Sequence, residues 1–318
     1  MVTVIIPNYN GLKFLKDCLQ GLEKQSYKEF KVIVIDNGSD DGSVNFLKEE
    51  KGIELIALEK NIGFCGAVNL GIKSANTKYV ILLNNDTIVY PKYIEMLVKH
   101  MQEKDDVFST SAQMIKMHDE SLIDNAGDLY CALGWAFARG TGKKNEKYSK
   151  EHEVFSSCGG AAIYRREIFQ EIGYFDEAHF AYLEDVDIGY RARIFGYHNE
   201  YEPEAKVLHY GSGFSGSKHN EFKVKLASKN SIFLIWKNMP FLQIIINLPF
   251  LVVGFLVKTV FFTKKGLGSV YIKGLKQGFR MCLDENNKNH KVKFKKKHFK
   301  NYLNIQWLLW KNLFNLGR

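Results

Sequence analysis

Three short stretches hold the side chains with chemistry to offer. In "VILLNNDTIVY", residues 80–90, an apolar run stops at Asn84, Asn85 and Asp86 before Ile88 and Val89 resume it. A hard carboxylate at the end of a buried strand suits Mg2+ or Mn2+, which take oxygen ligands and keep positions open for a substrate diphosphate. Asn84 and Asn85 would then hold a ribose or the outer shell of the metal. The plainer reading is an Asx turn that ends the strand. In "LEDVDIGYRARIFGY", Glu184, Asp185 and Asp187 open a helix. Capping and the helix dipole reward such an acid by about 0.3–1 kcal/mol. Three within four residues repel one another, which exceeds what capping needs. One of them, set beside an acceptor hydroxyl, can act as a general base. Glu184 and Asp185 point to different helix faces and so take different roles. His209 follows "EAKVL" at a strand end. It is either structural or a neutral imidazole that completes a metal site with Asp86.

Asp36 ends "VIVID". Its carboxylate fits the N3–H donor of a pyrimidine, or else it caps the helix that follows "GSDDGS". Lys60 and Asn61 in "EKNIGF" could frame the same base, and Gly63 and Gly66 allow close backbone approach. "CGGAA", with Gly160, removes side chains where a sugar would lie.

These groups need a scaffold that brings strand ends together. "VTVIIP", stopped by Pro7, "FKVIVID", "IELIALE" and "KYVILLN" read as strands. "LKFLKDCLQGLEKQ", "GSVNFLKEE" and "GAVNLGIKSA" between them read as helices, the first with Leu12, Leu15, Leu19 and Leu22 at helical spacing. Alternation of this kind specifies βαβ units and a mostly parallel α/β sheet with right-handed crossovers. Ligands in such sheets lie beyond the carboxyl ends of the strands. Asn8 and Asn10, Asp36 and Asn37, Asn61, and Asn84 to Asp86 all fall there. Residues 100–200 are mixed: "CGGAAIYRREIFQEIGYFDE" runs from a glycine turn through a short strand to a helix. The acid-opened helix ends at Gly196, and "HNEYEPEAKVLHYG" is a strand that finishes near His209.

The chain has 318 residues, 46% of them hydrophobic, and five scattered cysteines without a C-x-x-C pair, a pattern of reduced thiols in a cytosolic protein. The apolar start "MVTVIIPNYNG" lacks a basic lead and a cleavage site and reads as a first strand, not a signal peptide. The net charge of +9 implies an anionic partner: nucleic acid, an anionic membrane or a phosphorylated substrate. The character changes after residue 222. "FLQIIINLPFLVVGFLV", 241–257, is uncharged, flanked by lysines and interrupted by Pro249. It can span a membrane, lie in the interface as a helix or hairpin, or pack in a core. "KNHKVKFKKKHFK" is a solvated tail or an anionic-lipid contact, the latter favoured by the nearby apolar run and by "WLLW" at 307–310. Because the basic residues gather beside this apolar run and not over the sheet, nucleic acid is not the expected partner.

The ordered set "VIIPNYNG", "VIVIDNGSDDGS", "NIGFCGAVNLGI", "YVILLNNDT", "CGGAAIYRREIFQEIGYFDE", "YLEDVDIGYRARIFGY" and "VLHYGSG" resembles glycosyltransferase family 2, the GT-A fold, and within it the bacterial rhamnosyltransferase-like branch. The likeness covers about residues 1–215. It implies a GT-A domain over 1–221; the apolar and basic remainder is expected to form a helical, membrane-associating extension over 222–318. The family's D-x-D metal motif is met here by Asn84, Asn85 and Asp86, with Asn in place of the first acid. The resemblance implies Asp86 and His209 on Mg2+ or Mn2+, Asp36 on the pyrimidine, Asp185 as general base, and Glu184 orienting acceptor or donor sugar. Further donor contacts fall to Pro7, Asn8, Asn10, Lys60 and Asn61, and to Gly63, Asn69, Asn84, Asn85 and Gly160. The implied reaction is inverting transfer from dTDP-rhamnose or a UDP-sugar onto a polyprenyl-linked glycan at the inner face of the cell membrane. The competing reading is a catalytically idle nucleotide-sugar-binding scaffold in a glycan-assembly complex.

Overall fold

A computed structural model describes residues 1–211 and 220–316. Ser212 and Gly213, which end the "VLHYGSG" stretch, lie outside the described residues. The alternating first half forms β1 (Val2–Asn8), α1 (Leu12–Glu23), β2 (Phe30–Asp36), α2 (Ser43–Glu49), β3 (Ile53–Ala57), α3 (Gly63–Ser74) and β4 (Tyr79–Leu83). These strands lie parallel in the order β3-β2-β1-β4. Their side chains alternate between two cores, as a pleat with helices on both faces requires. Val4, Ile6, Ile81 and Leu83 pack on one face with Leu15 and Leu19 of α1. Ile5, Val80 and Leu82 pack on the other with Val68 and Ile72 of α3. Pro7 does not stop β1, which runs on to Asn8. Pairing with β4 ends at Ile5, so β1 is an edge on that side beyond it, where proline is tolerated.

The second half adds β5 (Thr87–Val89), α4 (Tyr93–Glu103), β6 (Val107–Lys116), β7 (Ile123–Asn125), β8 (Asp128–Cys131), β9 (Trp135–Ala138), β10 (His152–Val154), β11 (Ala161–Arg165), α5 (Ile168–Ile172), α6 (Glu184–Phe195) and β12 (His198–His209). β11 enters antiparallel between β4 and β6, and β12 runs parallel to β6. This makes the sheet mixed and brings the end of β12 beside β5, just past Asp86. Gly196 ends α6 in the left-handed region, at φ 97°. His100 of α4 lies buried between Glu202 at 3.0 Å and Glu200 at 2.8 Å on β12.

The chain closes with α7 (Glu221–Asn238), α8 (Phe241–Lys264), α9 (Gly268–Leu283) and α10 (Phe299–Lys311). α7 is bonded into the sheet domain through a buried charge network. Asp187 of α6 is fully buried and accepts from Arg191 at 2.8 Å, Lys237 at 2.9 Å and Asn238 at 2.8 Å. Lys237 also meets Asp176 at 2.6 Å. Burial alone would raise the Asp187 carboxyl, but Arg191 and Lys237 hold it well below the usual carboxylate range. α9 packs tightly on α7, because a Cβ at Gly274 would meet Ser228 Oγ at 1.9 Å and one at Gly278 would meet the Lys229 carbonyl at 2.5 Å.

α8 is one continuous helix that carries Pro249 inside it, so residues 241–257 form neither a hairpin nor a core helix. Its buried positions are Gln243, Asn247, Leu251 and Gly254, a single stripe with two amides in it. Gln243 Oε1 accepts from the Tyr190 hydroxyl at 2.7 Å and Asn247 Nδ2 donates to Gln306 Oε1 at 2.7 Å, while Gln243 Nε2 is buried without a partner. Phe241, Leu242, Val252, Val253 and Leu256 face outward. A helix on a water-soluble surface shows the opposite arrangement.

Two outcomes follow from these networks. Lys237→Met takes the buried lysine from Asp176 and leaves Asp187 with Arg191 as its remaining cation, and is expected to cost about 3–5 kcal/mol in urea unfolding, unless α7 detaches first, which a lower m-value would reveal. Burial alone would lower the His100 pKa, but Glu200 and Glu202 raise it to about 9. Its stabilising contribution is therefore complete below its unfolded value near 6.5 and is lost as pH rises through 9. His100→Gln should flatten the fall in stability between these limits, measured by unfolding at stepped pH.

Candidate active site

The carboxyl ends of β1, β2 and β4 meet in a relay of buried amides. Asn85 Nδ2 donates to Asn8 Oδ1 at 2.7 Å, and Asn8 Nδ2 donates to Asp36 Oδ2 at 2.8 Å. The other Asp36 oxygen accepts from the Ser39 N–H at 2.9 Å. Asp36 is fully buried, so in this conformation its carboxylate fastens the β2 turn to β1. Asn10, with φ 48°, accepts from the Asp40 N–H at 2.8 Å and holds the opposite side of that turn. Gly11 runs under Asn85, whose Nδ2 would lie 2.0 Å from a Cβ at that position.

The β3 side of the cleft is fixed by a second amide set. Asn37 donates to Asn61 Oδ1 at 3.0 Å and accepts from the Ile62 N–H at 2.9 Å, and Asn61 accepts from the Gly63 N–H at 2.8 Å. Gly38, at φ 81°, lets the chain cross the Lys60 backbone, where a Cβ would come within 2.8 Å. Lys60 and Asn61 therefore do stand beside Asp36. Asn69 does not join them. It is buried on α3, and its amide exchanges two bonds with the Phe175 backbone, at 2.8 and 3.0 Å. Gly66 likewise packs on the Ile62 side chain.

Past the end of β4, Asp86 Oδ1 lies 3.3 Å from His209 Nε2. The distal nitrogen, Nδ1, bonds Asp124 Oδ2 at 2.7 Å. Burial would lower the imidazole, but Asp124 and Asp86 raise it to about 9. A carboxylate and an imidazole converging at this spacing fit two cis ligands of an octahedral ion, which at about 2.1 Å each lie about 3 Å apart. Asp86 and His209 are thus the pair that could hold Mg2+ or Mn2+, and Asp124 orients the imidazole from behind. Asp124 was not evident from the sequence; the acid-rich turn "IDNAGD" was its signal. The Lys223 amine of α7 feels the Asp86 charge as well. Burial lowers its pKa and the carboxylate opposes that fall.

The third group sits at the start of α6. Asp185 Oδ1 accepts from the Gly159 N–H at 3.0 Å, while the next residue, Gly160, accepts from the Asn84 N–H at 2.8 Å. Two adjacent glycines therefore tie Asp185 to the strand end that bears Asp86. A Cβ at either position would displace the side chain it faces, lying 2.7 Å from Asp185 Oδ1 at Gly159 and 2.9 Å from Asn84 Nδ2 at Gly160. Burial first, then Glu184 and Asp128, push the Asp185 carboxyl well above its usual range. Burial likewise raises Glu184, and one Glu184 oxygen is buried with no hydrogen-bond partner. Asp128, raised to about 6 by burial, is a further acid that the sequence did not single out.

The loop before α6 is strained. Phe180, Tyr182 and Leu183 all lie in the positive-φ region, at 66°, 68° and 67°. Such backbone persists only where its surroundings over-determine it. Here Asn230 of α7 does so, donating to the carbonyls of His179, Ala181 and Tyr182 at 3.0, 2.9 and 2.7 Å.

Two other clusters have metal-like composition. Around His100 and Glu202, Lys104 already supplies the positive charge, at 2.6 Å from Glu151 and 2.5 Å from Glu200. At Asp128, Cys158 and Asp185 the ligand atoms lie within 4.8 Å of one another. Burial pushes the Cys158 thiol well above its usual range, so it stays protonated and ligates poorly. If Asp86 and His209 hold the ion, Asp124→Ala should weaken Mn2+ binding about 10–100-fold and Asp86→Ala by more, with the free ion read by paramagnetic resonance.

Residues 3–173 match the family model for glycosyl transferase family 2. An uncharacterised glycosyltransferase of Rickettsia prowazekii is 28% identical over 205 residues, and the match spans 60% of this chain and 58% of that relative's own length. A mannosyltransferase of Pyrobaculum calidifontis, solved with GDP-Man and Mn2+, superposes with a TM-score of 0.57 at 15% identity, covering 99% of this chain and 87% of that one. GalNAc-T7, solved with UDP, GalNAc and Mn2+, superposes with a TM-score of 0.60 at 17% identity over 74% of this chain and 47% of that one. The fold shared with both is the GT-A arrangement of a mostly parallel, mixed sheet flanked by helices. With more than half of its length matched to the family model, the chain belongs to glycosyl transferase family 2.

Proposed function

We propose that this chain is an inverting glycosyltransferase that moves a sugar from a nucleoside diphosphate onto the hydroxyl of a lipid-linked glycan. The observation that carries this reading is the glycine pair 159–160, which sets a carboxylate of raised basicity, Asp185, against the strand end that bears Asp86. Donor and acceptor chemistry then share one corner. The structures with Mn2+ and nucleotide ligands support a divalent ion and a nucleotide-sugar donor. The sequence likeness to the rhamnosyltransferase branch favours dTDP-rhamnose, with a UDP-sugar as the other pyrimidine donor.

On this reading the base and ribose lie along Asn8, Asn10, Asp36, Lys60 and Asn61. The sugar lies over Gly160, where no side chain intrudes. Asp185 takes the proton from the acceptor hydroxyl while that oxygen bonds to the anomeric carbon. The bond from the anomeric carbon to the diphosphate breaks on the opposite face, and the nucleoside diphosphate leaves with the electron pair. The configuration inverts. A divalent ion held by Asp86 and His209 would supply charge neutralisation for that leaving group. Glu184, with an unpartnered buried oxygen, takes a hydroxyl of one of the sugars. The outward apolar face of α8 would seat the enzyme on the cytoplasmic face of the cell membrane. Among the described residues this is the one helix long and apolar enough to cross a bilayer, with mean hydropathy 2.2 and 17% of its apolar window buried.

The test is a thermal-shift screen of dTDP-rhamnose, UDP-sugars and GDP-mannose with Mn2+ or Mg2+, followed by turnover of the donor that binds. Binding to the native state raises stability by about 2.7 kcal/mol at a hundredfold excess over Kd. Asp185→Asn should lower kcat by about 10²–10⁴-fold and leave the donor-induced shift intact. A folded protein that shifts with no donor leaves the idle-scaffold reading without its nucleotide and removes the transferase reading as well. A shift without any turnover supports the scaffold.

A further inference from the structure

Residues 222–318 hold 19 of the 44 Lys and Arg but only two of the 35 Asp and Glu, so the whole positive excess of the chain lies in its C-terminal helices. Part of it converges. Lys273, Lys276, Gln277 and Arg280 occupy successive positions along one face of α9, and with Lys225 of α7 they line a cleft of about 390 Å3. None of the four cations has a salt bridge among the described residues, and α9 contains no acid that could neutralise them. Gly274 and Gly278 let α9 pack closely on α7, which sets Lys225 beside the cations of α9. A cleft built this way favours a compact, multiply charged anion.

Its neighbours indicate where that anion comes from. The next face of α9 carries Ile272, Phe279 and Leu283, all exposed, and α8 beside it presents its apolar side outward. The cationic face thus borders the surface proposed to meet the bilayer. On α7, Lys223 and Lys225 point to roughly opposite sides. Lys223 faces the field of Asp86, and Lys225 faces the cleft. The cleft and the Asp86 side therefore flank the same helix.

We propose that the α7–α9 cleft binds the diphosphate headgroup of a membrane lipid and so fixes the lipid-linked acceptor beside the active site. This rests on the membrane-acceptor reading given above. The lysines and Arg280 donate to the diphosphate oxygens, the lipid chain lies along α8 and α9, and the glycan extends past the start of α7 toward Asp185.

The experiment is vesicle flotation of the full chain with three compositions: phosphatidylcholine alone, phosphatidylcholine with phosphatidylglycerol, and phosphatidylcholine doped with geranylgeranyl diphosphate at matched charge. The cleft variant is Lys273→Gln/Lys276→Gln/Arg280→Gln. The control, Lys295→Gln/Lys296→Gln/Lys297→Gln, removes equal charge from the basic run. The expected result is at least tenfold tighter binding to diphosphate vesicles than to phosphatidylglycerol vesicles. The cleft variant should lose that gain, and the control should keep it within threefold. Equal losses in both variants, or equal binding to both anionic vesicles, would mean diffuse electrostatics and overturn the site. Inorganic diphosphate that binds the cleft with the same affinity in the absence of vesicles would overturn the lipid source. Donor-induced thermal shift is measured on the same samples. Its absence in the unmodified protein counts against glycosyl transfer, while the comparison of the two variants still decides the cleft.

Discussion

The ion network around Asp187 decides how the two parts of this chain relate. A fully buried carboxylate cannot stay charged without cations, and here they come from Arg191 on its own helix and Lys237 on α7. α7 is thereby fixed to α6, and its position governs two distant features. Toward the sheet, Asn230 grips three carbonyls of the strained loop that presents Glu184 and Asp185. Toward the outside, α7 forms one wall of the cationic cleft and the floor on which α9 packs. The C-terminal helices therefore support the corner that holds Glu184 and Asp185, and they also carry the outward apolar face of α8.

The cleft at the strand ends shows how its polar groups divide their work. Asn8, Asp36 and Asn85 bond one another and shape the cleft, while Asp86, Asp185 and His209 present oxygens and a nitrogen to its interior. Water-poor surroundings make both tasks sharper. They strengthen the hydrogen bonds within the relay and raise the basicity of Asp185, which has no cation beside it, while they leave Asp187 ionised because it has two. Burial is common to both acids, and the neighbouring charges separate a carboxyl of raised basicity from an ionised structural anchor.

α8 has its polarity reversed relative to a soluble helix, and the cause lies in what faces it. Gln243 Oε1 and Asn247 Nδ2 find hydroxyl and amide partners on the protein side, and Gly254 lies against the Leu133 backbone, whose carbonyl oxygen would be 2.2 Å from a Cβ. With those positions inward, helical periodicity turns most of the large apolar side chains outward, while Leu251 shares the buried stripe.

The order of residues along the chain is enough to specify the elements and the general place of the chemistry. Period-2 and period-3.6 patterns are local, and parallel strands force polar residues at their carboxyl ends into one cleft. Asp86, Asp36 and Asn61 are therefore legible as neighbours from the strand pattern alone. The end of α6 at Gly196 is equally local. The partners of these groups depend on the packing of distant segments. Asp124 behind His209, Asp128 near Asp185, Asn230 under the loop and Lys237 on Asp187 are joined across 85, 57, about 50 and 50 residues of chain, and no periodic signal encodes such a pairing. The same holds for residues given other work. Asn69 reads as a donor contact from its motif, but the path of the Phe175 backbone claims its amide. Spacing along a chain fixes which face a side chain takes; what waits at that face depends on how the sheet and its covering helices pack.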